Sequence, residues 1–146
     1  MGENSKLYEQ DFYAWTREQG ALLRAGRTSE ADLVNIAEEI ESMGKREKRE
    51  LVSRLTVLLL HLAKWRFQPG LRSRSWRLSV EAQRLDVTEL LAENPSFQPW
   101  LDQALAAAWR RAVLEAQRET GLDAAAFPSH CPWTASQALD DAFWPE

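Results

Sequence analysis

Glycine and proline, the two residues that interrupt helices most strongly, are absent from three long stretches of this chain. Residues 45–68, 71–94 and 100–120 contain neither residue. The β-branched residues are few and scattered, and no stretch alternates apolar and polar residues for long enough to propose a strand. The sequence therefore predicts an all-α fold, an irregular bundle of about five main helices.

Two of these helices are predicted before residue 45. Asp11 can cap the first, which is expected to end at Gly26. The second is expected to begin at Thr28 or Ser29, and Gly44 either ends it or kinks it. Its apolar residues form one stripe at helical spacing, the pattern of a helix that packs one face against a core, and they are Leu33, Ile36, Ile40 and Met43.

The third predicted helix is the most hydrophobic part of the chain. Its apolar residues recur at steps of three and four, and its second half is apolar on nearly every side. Pro69 and Gly70 end it. We expect this helix at the centre of the bundle, where the other segments cover Leu51, Leu55, Leu58, Leu62 and Trp65.

Two further helices and a tail are predicted after this central helix. The fourth helix is expected to run from residues 73–75 to residue 94, and the fifth to begin at a cap on Ser96 and to end at Gly121. The prolines that follow favour an extended strap on the bundle. Thr134 can then cap a short final helix that ends at Leu139.

Length and composition limit the class of protein. A chain of 146 residues fits one domain, which we expect to cover residues 1–146. No stretch reaches the roughly 18 to 20 consecutive apolar residues that cross a bilayer, and no hydrophobic leader follows the polar start of the chain. The one cysteine excludes a disulfide framework and a thiolate zinc site. We therefore expect a cytoplasmic protein with no membrane partner.

Charge is distributed unevenly, although the formal net charge is only −4. The first 44 residues carry a net charge of −5, residues 45–84 carry +8, and the remainder carry −7. The basic segment 64–84 interleaves arginines with aromatic rings, which suits phosphate contacts and base stacking in a nucleic-acid binder. Alternatively, these charges neutralise the acidic flanks within the fold while Trp65 and Trp76 fill the core. We favour this alternative because both tryptophans fall on apolar stripes at helical spacing.

Candidate catalytic or metal-ligating residues are few. Glu39 borders the apolar stripe of the second helix and His61 borders that of the third, so the two could meet if these helices pack side by side. We favour a structural salt bridge for Glu39, because the chain lacks the Glu-x-x-His pattern of di-metal helical bundles. Cys131, next to His130, lies in a tail without basic residues to activate a thiolate, and is predicted to be structural.

The common cofactor and catalytic motifs are also missing. The sequence contains no glycine-rich phosphate loop, no nucleophile elbow and no dinucleotide fingerprint. We therefore expect no cofactor, no bound metal and no catalytic residue, and an enzyme is not the class that we favour.

Several short motifs follow one another along nearly the whole chain. They are DFYAW at residues 11–15, EEIES at 38–42, HLAKW at 61–65 with QP at 68–69, RSW at 74–76, QR at 83–84, PS at 95–96, FP at 127–128 and CP at 131–132. In these motifs the chain resembles a bacterial family known as domain of unknown function 29. The resemblance implies a helical fold without an established activity, and it assigns no catalytic residue.

The motifs and the residue pattern converge on one polar cluster at the junction of the third and fourth helices. We favour a structural role, in which these side chains satisfy the free amides and carbonyls at the helix ends. The alternative is a ligand or nucleic-acid pocket. The cluster consists of Glu39, His61, Lys64, Trp65, Gln68, Arg74, Trp76, Gln83 and Arg84.

For function, the sequence favours a non-catalytic interaction or adaptor module that forms a homodimer. Seven tryptophans are more than a core of this size readily covers, and Phe143 and Trp144 add aromatic surface near the end of the chain. Nucleic-acid binding through segment 64–84 is one alternative. An enzyme or metal site that uses Glu39 and His61 is the other.

Overall fold

The computed structural model of the protein describes residues 2–146, with side chains from residue 6 onward. The described chain is 80% helical and contains no strand, which confirms the all-α prediction. Its helices in chain order are α1 (Gly2–Gln10), α2 (Phe12–Arg24), α3 (Leu33–Phe67), α4 (Arg74–Glu93), α5 (Leu101–Thr120) and α6 (Ala135–Leu139).

The chain divides into two compact units. The first ends at Glu47, and the second spans Lys48–Glu146. The boundary falls inside α3, so this helix contributes residues to both units. A single domain over residues 1–146 stays a prediction.

The first unit contains a helix that the sequence analysis missed. α1 ends at Gln10, and the chain restarts as α2 after Asp11, whose Oδ1 accepts a hydrogen bond from Ala14 N at 3.1 Å. The ring of Tyr8 on α1 packs edge-on against Trp15 of α2, with 4.7 Å between centroids. The predicted cap at Asp11 is therefore confirmed, but it begins the second helix of the chain.

Polar groups share the interior of this first unit with Trp15. The Trp15 indole donates to Asp32 Oδ2 at 3.1 Å, and Gln19 Oε1 accepts from Asp32 N at 2.7 Å. All three residues are buried. Burial alone would raise the pKa of Asp32, but the hydrogen bonds from Asn35 and Trp15 outweigh it and lower that pKa.

The prediction of separate second and third helices is wrong. α3 runs without interruption from Leu33 to Phe67, and Gly44 lies inside it. Thr28 and Ser29 belong to a short 3₁₀ turn, Thr28–Glu30, that precedes the helix. A single glycine costs a helix only about 1 kcal/mol, which the strong helix formers around it offset.

The second unit is built around the C-terminal half of α3, as predicted. Its leucines at positions 51, 55, 58, 59 and 62 have no exposed surface. Val80 and Val87 of α4 belong to the same core, together with a face of small residues on α5. Such a face lets neighbouring helices approach closely, and it comprises Ala104, Ala108, Ala112 and Ala116.

The ends of α4 and α5 follow local sequence chemistry in all but one case. Ser73 Oγ caps α4 by accepting from Trp76 N at 3.2 Å, and Gly121 ends α5 in the left-handed conformation, with φ 75°. The cap expected on Ser96 is wrong, because residues 95–100 form a 3₁₀ turn and α5 begins only at Leu101. Two prolines in this turn, Pro95 and Pro99, leave no amide hydrogen to continue an α-helix.

The tail folds back on the second unit as the predicted strap. Phe127 and Trp133 are buried in its core, and Thr134 forms a capping box with Gln137 at the start of α6. Within the described residues, no helix has the length and apolar composition required to cross a membrane.

Candidate functional site

The cluster predicted from the sequence is present in part, where α3, α4, α5 and the tail meet in the second unit. Lys64 is buried there, with Nζ 3.2 Å from Glu119 Oε1 and 4.7 Å from the centre of the Trp76 ring. The ammonium group is therefore compensated by one carboxylate and one aromatic face. This arrangement agrees with a structural role for Lys64 and Trp76.

Arg84 is the second buried cation of the cluster, and only 1% of its surface is exposed. Its guanidinium donates to three carbonyl oxygens of the tail: Nε to Ala138 at 2.8 Å, Nη2 to Phe143 at 2.6 Å and Nη1 to Asp141 at 3.5 Å. Burial lowers the pKa of Arg84, and the nearby carboxylates of Asp141 and Asp140 partly oppose this effect. Arg84 thus fastens the tail to α4.

Two tryptophans and the arginines around them form the exposed side of the cluster. The rings of Trp65 and Trp144 lie 4.7 Å apart between centroids. The Arg72 guanidinium lies 5.0 Å from the centre of the Trp65 ring, and that of Arg77 lies 5.7 Å from the Trp144 ring. Arg72 Nε also donates to Trp65 O at 2.8 Å, satisfying a carbonyl near the end of α3.

A basic groove, which we name the Trp65 groove, opens beside these rings. It encloses ≈ 560 Å³, and its lining consists of Trp65, Arg72, Ser73, Arg74, Arg77, Leu78 and Glu81. All three arginines are exposed. Arg77 pairs with Glu81 at 3.4 Å, whereas neither Arg72 nor Arg74 has an ion pair among the described residues.

The two glutamines of the cluster do not act as predicted. Among the described residues, no side-chain hydrogen bond is made by Gln68, and the buried Oε1 of Gln83 has no partner. The groups at the helix ends are satisfied by Arg72 and by Ser73 instead. The position of Ser73 before an apolar helix signals this capping role, whereas no sequence signal marks Arg72.

Glu39 and His61 do not form the proposed pair. Both lie on the continuous helix α3, about six turns apart. They could meet only if residues 33–44 and 45–68 formed separate helices packed side by side, and this premise is wrong. Among the described residues, no group of three or more His, Cys, Asp or Glu side chains is placed to hold a metal ion.

His61 instead has a local hydrogen bond. Its Nδ1 lies 2.8 Å from Val57 O, so the proton is assigned to Nδ1, which donates to the carbonyl. Burial is the largest cause of a lowered pKa at His61; the Val57 contact and Glu119 raise that pKa, while Lys64 lowers it further. The neutral imidazole is therefore the form that the folded protein favours.

Glu39 belongs to an unusual part of α3, where the polar face of the helix is turned inward. Within the first unit, Glu39 accepts a hydrogen bond from the Tyr8 hydroxyl, and Asn35 Nδ2 donates to Asp32 Oδ2 at 2.8 Å. The hydrogen bond to Glu39 is the main cause of a raised pKa at Tyr8. Because Tyr8 and Trp15 present polar hydrogens, the carboxylates of this segment turn toward them.

The apolar side of the same segment consequently faces solvent. Leu33, Ile40 and Met43 are 52%, 62% and 58% exposed, and Ile36 is half-buried. Helical spacing predicts that this stripe, which we name the α3 stripe, packs on a core, and this prediction is wrong for three of its four members. The α3 stripe consists of Leu33, Ile36, Ile40 and Met43.

Comparison with known proteins gives a family and nothing finer. The model of the family described as Domain of unknown function DUF29 matches residues 7–144. Neither a curated protein nor a solved structure matches the chain.

Proposed function

The chain belongs to the family described as Domain of unknown function DUF29, and we propose that it acts as a non-catalytic interaction module in the bacterial cytoplasm. Its proposed first partner is a second copy of itself. The observation that carries this proposal is the α3 stripe, which is apolar and faces solvent, while the polar side of the helix next to it faces inward. Contiguous exposed apolar surface marks association sites in soluble proteins.

The spacing of the α3 stripe suits another helix. Positions 33, 36, 40 and 43 follow steps of three, four and three. This is the spacing of the apolar row, or seam, through which a helix packs against a helical partner. Two small residues, Ala37 and Gly44, lie along one edge of the seam and are exposed. They allow a partner helix to approach closely on that side.

The edges of the seam favour a second copy in antiparallel orientation. Glu39 and Arg46 are seven residues apart, two turns, on the edge opposite Ala37 and Gly44. A two-fold axis between Ile40 and Met43 places Glu39 of each copy near Arg46 of the other, and each Ala37 near a Gly44. Glu39 retains acceptor capacity for this pair because its bond from Tyr8 uses one oxygen only.

The size of the seam indicates a weak and reversible dimer. From residue 33 to residue 43 the helix rises by about 15 Å. Interfaces of this kind fall at the low end of the range for specific complexes, below about 1,200 Å² of total buried surface, where transient associations are found. We therefore expect monomer and dimer to exchange at micromolar protein concentrations.

Sedimentation equilibrium of matched variants tests self-association. Ile40→Glu places a charge in the centre of the seam and should leave the protein monomeric. Val34→Glu is the control, because Val34 is 71% exposed on the same helix but lies away from the seam. The proposal fails if the wild-type protein is monomeric up to several hundred micromolar, or if both variants associate equally.

A second pair of variants tests the proposed orientation. Arg46→Glu should weaken the dimer by about tenfold, because it turns each of the two symmetry-related Glu39–Arg46 pairs into a pair of carboxylates. Lys45→Glu makes the same change in net charge one residue away, on the side of the helix opposite the seam, and should leave the dimerisation constant within about twofold. Equal weakening by both would indicate a general charge effect and would contradict the antiparallel arrangement.

Nucleic-acid binding is the second candidate function, and the Trp65 groove supports it. Arg72, Arg74 and Arg77 are exposed along one groove with the Trp65 ring, a combination that suits phosphate contacts beside a stacking platform. Lys64 and Arg84 take no part in this surface, because both are buried. The candidate segment 64–84 therefore reduces to the three arginines that line the groove.

Salt dependence of oligonucleotide binding tests this second function. Three phosphate contacts predict a slope of about −2 in the logarithm of affinity against the logarithm of salt for a single strand. Arg74→Ala should reduce this slope by about 0.7, while Arg118→Ala, an exposed arginine of α5 outside the groove, should not. Fluorescence anisotropy that detects no binding at low salt, or identical effects of the two substitutions, would exclude the groove as a nucleic-acid site.

A further inference from the structure

A second cavity lies between α5 and the strap, and it shares no residue with the Trp65 groove or the α3 stripe. It encloses ≈ 580 Å³, and its lining includes Leu105, Trp109 and Trp133, all of which are buried. This volume lies within the roughly 300–1,000 Å³ that small-molecule sites occupy. No sequence signal marks this cavity, because its two walls are distant in the chain.

The floor of the cavity is apolar and held in place. Trp109 Nε1 donates to Pro128 O at 3.0 Å, so the polar atom of this indole is already satisfied by the strap. The rings of Trp109 and Trp133 meet edge to face, 5.6 Å apart. This floor is a rigid aromatic surface, which favours a ligand with a flat apolar ring system.

The rim of the cavity carries one cation that the fold does not use. Arg110 lies in the middle of α5 and has no ion-pair partner among the described residues. Asp102, also on the rim, lies in the first turn of α5, where the positive end of the helix dipole already stabilises its charge. Arg110 is therefore the group available to a ligand, and it offers a guanidinium to an anion.

We propose that the cavity between α5 and the strap binds a small aromatic compound that carries one anionic group. The aromatic part lies on Trp109 and Trp133, and the anion pairs with Arg110. The site is independent of self-association, because none of its lining residues belongs to α3.

Two fluorescent probes of similar shape test this site. Anilinonaphthalene sulfonate is aromatic and anionic, whereas phenylnaphthylamine has nearly the same rings without the charge. Arg110→Gln should raise the Kd of the sulfonate on the order of tenfold, since a charge-assisted hydrogen bond is lost, and leave that of phenylnaphthylamine within about twofold. Arg111→Gln is the matched control, an exposed arginine one residue along α5 that does not line the cavity.

A blocking variant tests whether the probes occupy the cavity itself. Ala106 lines the cavity and is exposed, so Ala106→Trp fills the space without disturbing the core and should abolish binding of both probes. Gln103→Trp adds the same side chain at an exposed position of α5 outside the lining and should bind both probes normally.

Alkylation of Cys131 measures independently whether a probe occupies the cavity. Cys131 is the single cysteine of the chain, it lines the cavity, and burial raises the pKa of its thiol, so alkylation by iodoacetamide is measured at mildly alkaline pH. Saturating anilinonaphthalene sulfonate should slow this alkylation several-fold in the wild-type protein and not in Ala106→Trp. Unchanged alkylation with bound probe, unchanged probe binding in Ala106→Trp, or equal effects of Arg110→Gln and Arg111→Gln would each overturn the proposal.

Discussion

The two buried cations of the second unit are compensated in different ways. Lys64 has a carboxylate partner in Glu119 and the face of Trp76, whereas Arg84 has only carbonyl oxygens as direct hydrogen-bond partners. Guanidinium is the cation suited to several carbonyls at once, because its donors form a rigid fork. Arg84 therefore fixes the path of the tail through hydrogen bonds to three of its carbonyl oxygens.

Replacing Arg84 should destabilise the fold. Arg84→Met keeps much of the packing volume but leaves the carbonyl oxygens of Ala138 and Phe143 buried without their donor, and we expect a loss of about 3 kcal/mol in the free energy of unfolding. Arg74→Met is the control on the same helix, exposed, with an expected change within about 0.5 kcal/mol. Urea denaturation measures both, and equal stability of the two variants would contradict this role for Arg84.

His61 should make stability depend on pH in a defined direction. Its pKa is lowered in the folded protein, so the unfolded chain binds the proton more readily, and the contribution of His61 is full above about pH 6.5 and falls as the pH drops below that value. We expect His61→Gln to lose less stability than the wild-type protein between pH 7.5 and pH 5, as measured by urea denaturation. A wild-type protein that becomes more stable relative to the variant as the pH falls from 7.5 to 5 would contradict this prediction.

Single residues were predictable from the sequence where chemistry acts locally, and not where it depends on distant chain segments. Asp11, Ser73 and Thr134 cap helices as their positions indicate, because a cap needs only the following three residues. Arg84 looked like any other arginine of the basic segment, because its carbonyl partners lie more than fifty residues away in the chain.

At the scale of elements, the course of α3 decides most of the difference between expectation and structure. Gly44 was expected to end or kink a helix, but propensity at one position is small beside that of a long run of helix formers. Because the helix was expected to end or kink at Gly44, Glu39 and His61 were wrongly expected to lie close together. Helical spacing identified the α3 stripe correctly but not its environment, because spacing shows which residues share a face and not what that face contacts.

Two glycines test the description of the helices. Gly20 lies inside α2 with open space around it, so Gly20→Ala should raise the free energy of unfolding by about 0.5 to 1 kcal/mol. Gly121 has φ +75° at the end of α5, and Gly121→Ala should lower stability by about 1 kcal/mol because a side chain is strained in this conformation. Thermal unfolding that shifts in the same direction for both variants would contradict the assigned helix interior and helix end.

At the scale of the whole molecule, each compact unit carries surface that its own fold does not use. The first unit exposes the α3 stripe, and the second exposes the Trp65 groove and the cavity between α5 and the strap. These surfaces share no residues, so substitutions can test the proposed self-association and the proposed ligand binding separately. The fold class and the central hydrophobic helix followed from the sequence because they depend on the pattern of a whole segment; the surfaces did not, since they require knowing which faces stay uncovered.

Disulfide cross-linking across the α3 stripe tests the central proposal most directly. Ala37→Cys and Gly44→Cys, each made with Cys131→Ser to remove the native thiol, are mixed under mild oxidation with one chain tagged to distinguish the products. In the proposed antiparallel dimer the mixed 37–44 disulfide forms first, because like positions are displaced by about 10 Å along the helix and lie beyond the reach of a disulfide. Preferred 37–37 and 44–44 products, or no cross-link at a concentration at which sedimentation equilibrium finds the wild-type protein dimeric, would contradict this arrangement.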